Sequence, residues 1–279
     1  MRRQRPAQHR EFDLAHHHVP SLEETKTTLD GLGPRVTAVS AVIGLIGLAA
    51  TIGLGVTQGD GMKHFGFSYL TSYAFFLSIS LGALFFMPIM YVTKASWNVV
   101  MRRLAEVTAA VMPLMAVLAI PVIFLAGQIY GWTDPDVAAS HAMAHKTGYL
   151  SRNMFILRWV IYFAVWTGYS WFFWRTSVRQ DTTGDVNLTR RLENYSGFAL
   201  MVCALTVAGA AFDLLMSIDP LWFSTMFGVY YWAGGFVSFF AVMTLFTLGL
   251  QNTGRIEHIV SPEHFHDYGK AMFAFTFFW

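Results

Sequence analysis

A single cysteine, Cys203, stands in 279 residues, and it lies inside an apolar run. One thiol excludes a disulfide within the chain, a cysteine-ligated iron–sulfur cluster and a covalently attached c-type haem. Charge is scarce as well. Asp, Glu, Lys and Arg make up 13% of the chain and the formal net charge is +2, so nothing in the charge balance suggests a nucleic acid. All ten histidines fall in the polar tail or in connecting segments, which leaves no axial ligands for a haem inside the bilayer. No Walker-type or dinucleotide glycine pattern occurs and no lipidation box is present. The polar tail Met1–Pro34 precedes the first apolar run, an order that a secretory signal does not have.

What is abundant is apolar surface. Hydrophobic residues make up 54% of the chain and mean hydropathy is +0.44, values that belong to all-α polytopic membrane proteins. The tail, residues 1–34, is expected on the surface or disordered, and residues 35–279 form the transmembrane domain. Seven apolar runs begin in that domain: Val36–Val56, Phe65–Thr93, Val107–Thr133, Met154–Trp174, Asn194–Met216, Met226–Leu250, and one from Ala271. The last, Ala271–Trp279, extends only about 14 Å as a helix, against a hydrocarbon core of ~30 Å. The sequence is therefore expected to be C-terminally truncated. Fifteen of the 19 Lys and Arg residues fall on the tail's side of the membrane and four, Lys63, Lys146, Arg152 and Arg158, on the other. That bias predicts a cytoplasmic N-terminus.

Short connections require neighbouring spans to pack as a bundle. Gly47, Thr51 and Gly55 recur every fourth residue and would let another helix approach the first span closely. Pro88, Pro113 and Pro121 fall within spans, where freed carbonyls need partners from adjacent helices. Arg158, near the end of the fourth run, is expected to snorkel toward headgroups.

Polar groups inside the apolar runs are the candidates for function. Thr206, Ala210, Asp213 and Ser217 share one helical face. A carboxylate at such a depth costs roughly 2.5–3.5 kcal/mol at a helix centre. Counted from Asn194, Asp213 lies about 28 Å along a helix, close to the outer face, and is a candidate proton donor or acceptor. A purely structural role, accepting hydrogen bonds from a neighbouring helix, is the alternative. Tyr69, Tyr73 and Ser80 form a stripe entering from the same side, and apolar walls with a few hydroxyl and carboxyl groups suit a quinone head group. On the inner side, Lys94, Arg102, Arg103 and Glu106 bracket one turn, while His264, His266, Asp267 and Lys270 precede the last run. Such groups either collect protons or anchor to headgroups. His141 and His145 share a face if 136–146 is helical, a weak metal pair without a third ligand. The run His16–His18 and His258 carry no further signal.

Four stretches resemble the NrfD-like membrane subunits of bacterial alternative complex III. They are FDLLMSIDPLWFSTMFGVYYWAGG (Phe212–Gly235), HKTGYLSRNMFILR (His145–Arg158), HFHDYGKAMFAFTFFW (His264–Trp279) and the long segment Tyr69–Val107. The resemblance runs from about Val36 to the end and looks closer to the ActF subunit than to ActC. It implies ten transmembrane helices in two four-helix bundles with flanking helices, no redox cofactor in the subunit, and menaquinol or ubiquinol at or near it. The implied partners are a NrfD-like paralogue, an iron–sulfur or molybdopterin-like subunit, c-haem subunits and the lipid of a bacterial inner membrane. The implied activity is that of a quinol:cytochrome c, or other periplasmic acceptor, oxidoreductase, with proton transfer. Asp213 and Asp219 match the family's FD…SxDP acids, and His266, Asp267 and Tyr268 match its inner-face segment. Leu221 departs from the pattern, standing where the family often carries a polar residue. The membrane anchor of a molybdenum-type polysulfide or sulfoxide reductase, a secondary transporter and a scaffold without chemistry are the competing readings. Off-centre Asp213 and the lack of an internal repeat weigh against the transporter.

Overall fold

Lys63–Val92, thirty residues that run unbroken through Pro88, form the hub of the bundle, with 72% of their most apolar window buried. Their small and aromatic residues let helices approach from several sides. The computed structural model describes residues 29–57, 59, 62–95, 97, 99–256 and 259–279. Tail residues 1–28, with His16–His18, and His258 lie outside the described residues.

In chain order the helices are α1 (Leu32–Thr57), α2 (Lys63–Val92), α3 (Val99–Ala109), α4 (Met112–Leu118), α5 (Ile120–Phe124), α6 (Ala126–Ile129), α7 (Pro135–Ala138), α8 (Arg152–Thr183), α9 (Val186–Leu214), α10 (Phe227–Asn252) and α11 (Pro262–Phe278). No strand occurs among the described residues. Among the described residues five stretches are long and apolar enough to cross a membrane: α1, α2, Met101–Phe124, Val186–Ile218 and α10. The chain is a helical membrane protein. Two of the seven expected spans are not among these five. Helix α8 has the length, at 32 residues, but its arginines, tryptophans and tyrosines lower its hydropathy. Helix α11 has 17 residues.

Helix α2 packs against α10, α9 and α3, α8 pairs with α9, and α11 lies on α10. The α2–α10 crossing is close because neither backbone carries a side chain there. A Cβ on Gly82 would stand 2.7 Å from the Gly235 carbonyl, and one on Gly235 2.8 Å from that of Ser78. Helix α1 is the opposite case. Only 6% of its apolar window is buried. Of the Gly47, Thr51 and Gly55 stripe, only Gly55 meets a neighbour, where an added Cβ would fall 2.8 Å from Phe65 Cβ. Thr51 returns its hydroxyl to the Gly47 carbonyl at 2.6 Å.

The third apolar run is broken rather than continuous. Pro113 and Pro121 sit at the starts of α4 and α5, where a missing N–H costs least. Two tyrosines of α2 tie this broken run to the hub: Tyr73 donates to the Met115 carbonyl, which also accepts from the Ala119 amide, at 3.1 Å, and Tyr69 to that of Leu118 at 2.8 Å.

Helices α8 and α9 extend beyond the runs expected for them. Gly184 ends α8 in the left-handed region at φ 64°, which glycine enters without steric penalty. Asp185 then caps α9 by accepting from the Asn187 amide at 2.9 Å. Residues 175–193, which connect two of the apolar runs, are thus mostly a tight antiparallel helical hairpin.

Candidate functional site

The α8–α9 hairpin sets a register in which paired residues have numbers summing to about 370. Gln180 Nε2 donates to Thr189 Oγ1 at 2.6 Å near the turn, and Trp166 Nε1 to Thr206 Oγ1 at 2.9 Å farther along. The same register brings Arg158 to Asp213. Arg158 Nε and Nη2 each donate to one oxygen of the carboxylate at 2.8 Å. Tyr162 adds a third donor at 3.1 Å. Gly209 makes room for it, since a Cβ there would sit 2.5 Å from the Tyr162 hydroxyl. Asp213 is 0% exposed and the Arg158 side chain 16%. The snorkelling expected of Arg158 is therefore replaced by an inward clasp. A two-pronged arginine–carboxylate pair is geometrically specific as well as strong.

The clasp is held from outside. Arg158 Nη1 donates to the Tyr149 carbonyl at 2.9 Å, and its guanidinium lies 3.7 Å from the centre of the Tyr149 ring. Ser217 returns its hydroxyl to the Asp213 carbonyl at 2.7 Å and accepts from Trp132 Nε1 at 3.3 Å. Tyr130 donates to the Leu214 carbonyl at 3.0 Å. Burial, followed by the Asp213 charge, pushes the Tyr149 hydroxyl up to about 12.

Beside the clasp opens a cleft of about 190 Å³, walled by Phe212, Met216, Trp222 and Phe223, with His145, Tyr149, Ser217 and Asp219 as polar members. Asp219 Oδ1 accepts from the amides of Leu221 and Trp222 at 3.0 and 3.4 Å. Lys146 fastens the loop by donating to the Pro220 carbonyl at 2.7 Å.

Of the residues singled out on this rim, Thr206 and Asp213 bond side chains of α8, Ser217 lies past the end of α9 in the 3-10 turn Met216–Ile218 and meets Trp132 in the turn after α6, and Asp219 joins Ser217 at the cleft. Tyr69 and Tyr73 are elsewhere, spent on the carbonyls of α4. Ser80 is buried within α2 and does not line the cleft. The segment 136–146 is not one helix. It divides into α7, a 3-10 turn at His141–Met143 and further turns, so the shared face supposed for His141 and His145 does not form. Among the described residues no group of three metal-binding side chains exists.

The opposite rim lies at the other end of α8, about 34 Å away along the helix. Glu106, with its side chain 1% exposed, accepts from Arg103 Nη1 at 2.7 Å. Arg103 also pairs with Asp181 on α8. Among the described residues Glu106 Oε1 and the Tyr91 hydroxyl are both buried without a well-formed hydrogen bond, with Ser177 beside Glu106 and the Arg102 guanidinium 5.2 Å from the centre of the Tyr91 ring.

The other inner-face candidates fall into separate arrangements. His264 Nδ1 accepts from the Ser261 amide at 3.1 Å and closes the capping box of α11. Asp267 pairs with Lys270 at 3.1 Å. The Tyr268 hydroxyl lies 3.2 Å from Thr247 Oγ1 in the α10–α11 interface. His266 is exposed, as is Lys94, which follows α2 with φ 51°.

Arg158, Tyr162, Trp166 and Asp181 are functional-site members that sequence reasoning missed. Their signal is the i, i+4, i+8 spacing of Arg158, Tyr162 and Trp166, which matches Asp213, Gly209 and Thr206 once the helices run antiparallel. No family model matches the chain, and no curated protein matches it.

Proposed function

We propose that this chain is an NrfD-like, ActF-like membrane subunit of a bacterial quinol:electron-acceptor oxidoreductase of the alternative complex III type. The observation that carries the reading is the cleft beside the Arg158–Asp213 clasp, with apolar walls and a few polar groups at one end, the composition expected of a small-molecule site. The excess of Lys and Arg puts the Glu106 rim and the N-terminus on the cytoplasmic side of the inner membrane, and the Asp213 rim on the periplasmic side. Helix α8 is then a sixth span and α11 begins the seventh.

In this reading a quinol head group reaches the cleft from the lipid and lies against Phe212, Met216, Trp222 and Phe223. Oxidation releases two electrons and two protons. The electrons pass to partner subunits bearing iron–sulfur and c-haem centres. Asp219, through the oxygen not engaged by backbone amides, and His145 accept the protons. Asp213 does not serve as that base, because both its oxygens already bind Arg158. Its clasp fixes the α8–α9 wall. At the cytoplasmic rim the Glu106 oxygen without a well-formed hydrogen bond is the place where a proton can be taken up.

Purification of the tagged chain from native membranes tests the reading. The expected result is a complex containing the paralogue, a cluster-bearing subunit and c-haem, with haem reduced by added quinol. A chain that purifies alone, with no haem, contradicts it. In the complex, Asp219→Asn combined with His145→Ala should slow haem reduction by about 10²–10⁴-fold. A scaffold is the second reading, favoured by the fully satisfied Asp213 and by tyrosines spent on backbone carbonyls. It predicts no change of rate in that variant.

A further inference from the structure

At the Glu106 rim, three guanidinium groups converge on a second cleft, away from the acid itself. Arg175 and Arg179 stand one turn apart on α8, and Arg191 faces them from α9. With Trp171, Phe172 and Leu188 they line a cleft of about 320 Å³. The hairpin register places Arg191 directly across from Arg179. Like charges so placed repel, and none of the three forms an ion pair among the described residues. The nearby acids are engaged or turned away: Asp181 binds Arg103, Asp185 caps α9, and Glu193 is two residues from Arg191 on a different face of its helix.

The depth of these residues in the membrane matters as well. Arg175 and Arg179 lie about 26 and 32 Å along α8 from Arg158, at the far boundary of a hydrocarbon core of ~30 Å. Trp171, 55% exposed, is one turn inside that boundary, at the level where indole rings anchor. Arg191 lies over the Phe172 ring at 5.4 Å. The cleft thus offers cations at headgroup height and aromatic walls at the height of the first acyl carbons.

We infer that the Arg175–Arg179–Arg191 cleft is a binding site for an anionic phospholipid, with cardiolipin, which carries two phosphates, as its occupant. Basic pockets between helices at the membrane surface suit such headgroups. Arg179 and Arg191 bracket one phosphate, Arg175 takes the second, and an acyl chain runs down over Trp171. The site is independent of the quinol reading and would serve any complex the chain joins.

Quenching by lipids brominated on their chains tests this with the whole protein in phosphatidylethanolamine vesicles. The Trp171 contribution is the difference between wild type and Trp171→Phe. Brominated cardiolipin should quench it at a mole fraction at least fivefold below that needed for brominated phosphatidylethanolamine; equal quenching overturns the site. Phosphatidylglycerol quenching as efficiently as cardiolipin overturns the two-phosphate assignment. Each guanidinium is expected to contribute roughly fivefold, so Arg175→Gln/Arg179→Gln/Arg191→Gln together should lose roughly a hundredfold of cardiolipin binding. A folded triple variant that retains full binding overturns the proposal. Inorganic phosphate in excess should not displace cardiolipin from the purified protein in native mass spectrometry. Displacement would show a phosphate site without a lipid requirement and overturn the lipid as occupant.

Discussion

The two buried acids of this bundle sit at opposite rims and are treated in opposite ways. Asp213 is enclosed by Arg158, Tyr162 and the Ser217 turn, and neither of its oxygens lacks a donor. Glu106 is almost as deeply buried, yet among the described residues only one of its oxygens makes a well-formed hydrogen bond, with Ser177 beside it, and the Tyr91 hydroxyl makes none. An ion pair placed inside protein holds two helices in one register, and breaking it from one side leaves a charge stranded. An acid with an unused oxygen costs stability for as long as that oxygen stays dry. The first arrangement is that of a fastener. The second is that of a group kept for something other than packing, which is why the proton-uptake role is assigned to Glu106 and not to Asp213.

The largest effect should come from opening the fastener. Arg158→Ala leaves Asp213 buried without its counter-charge and is expected to cost ~3–5 kcal/mol, measured by thermal or denaturant unfolding in detergent. Next is Gly209→Ala, whose new Cβ would collide with the Tyr162 hydroxyl. It should cost ~1–3 kcal/mol and be relieved by Tyr162→Phe, which removes the colliding atom. At the other rim, Glu106→Gln is expected to change stability by no more than ~1 kcal/mol, because Arg103 keeps Asp181. In the native complex the same variant should depress quinol-driven proton movement into or out of vesicles while haem reduction persists. A Glu106→Gln variant that unfolds as readily as Arg158→Ala would erase the contrast between the rims. The smallest effect is expected from Tyr69→Phe, which removes one donor to the Leu118 carbonyl and should cost ~1 kcal/mol.

Much of this bundle is legible in the sequence because the bilayer leaves few options for uncharged runs. The long apolar stretches that form α1, α2 and α10 are of this kind, whereas the face expected to carry Thr206, Asp213 and Ser217 holds only the first two on α9, which ends at Leu214. The break of the third run is signalled by Pro113 and Pro121, whereas the use of Tyr69 and Tyr73 to tie that run to α2 is not, because phenols in spans look alike whether they face a ligand or a carbonyl. Helices α8 and α9 reach past their apolar runs because Arg, Thr and Asn end an apolar run without ending a helix, and straight-chain arginine is a good helix former. The Arg158–Asp213 pair depends on a register between two helices. That register is set at Gly184 and Asp185, far from either partner, so neither residue carries a local sign of the other. Glu106 was singled out for its position at a span mouth, while its unsatisfied oxygen is a property of packing alone.

A double-mutant cycle on Arg158 and Asp213, with Glu106→Gln as reference, tests the distinction most directly. The account predicts that Arg158→Leu and Asp213→Leu are each strongly destabilising, that the double variant regains most of the loss, and that Glu106→Gln stays close to wild type. Additive losses in the double variant, or an Asp213→Leu no worse than Glu106→Gln, would contradict it.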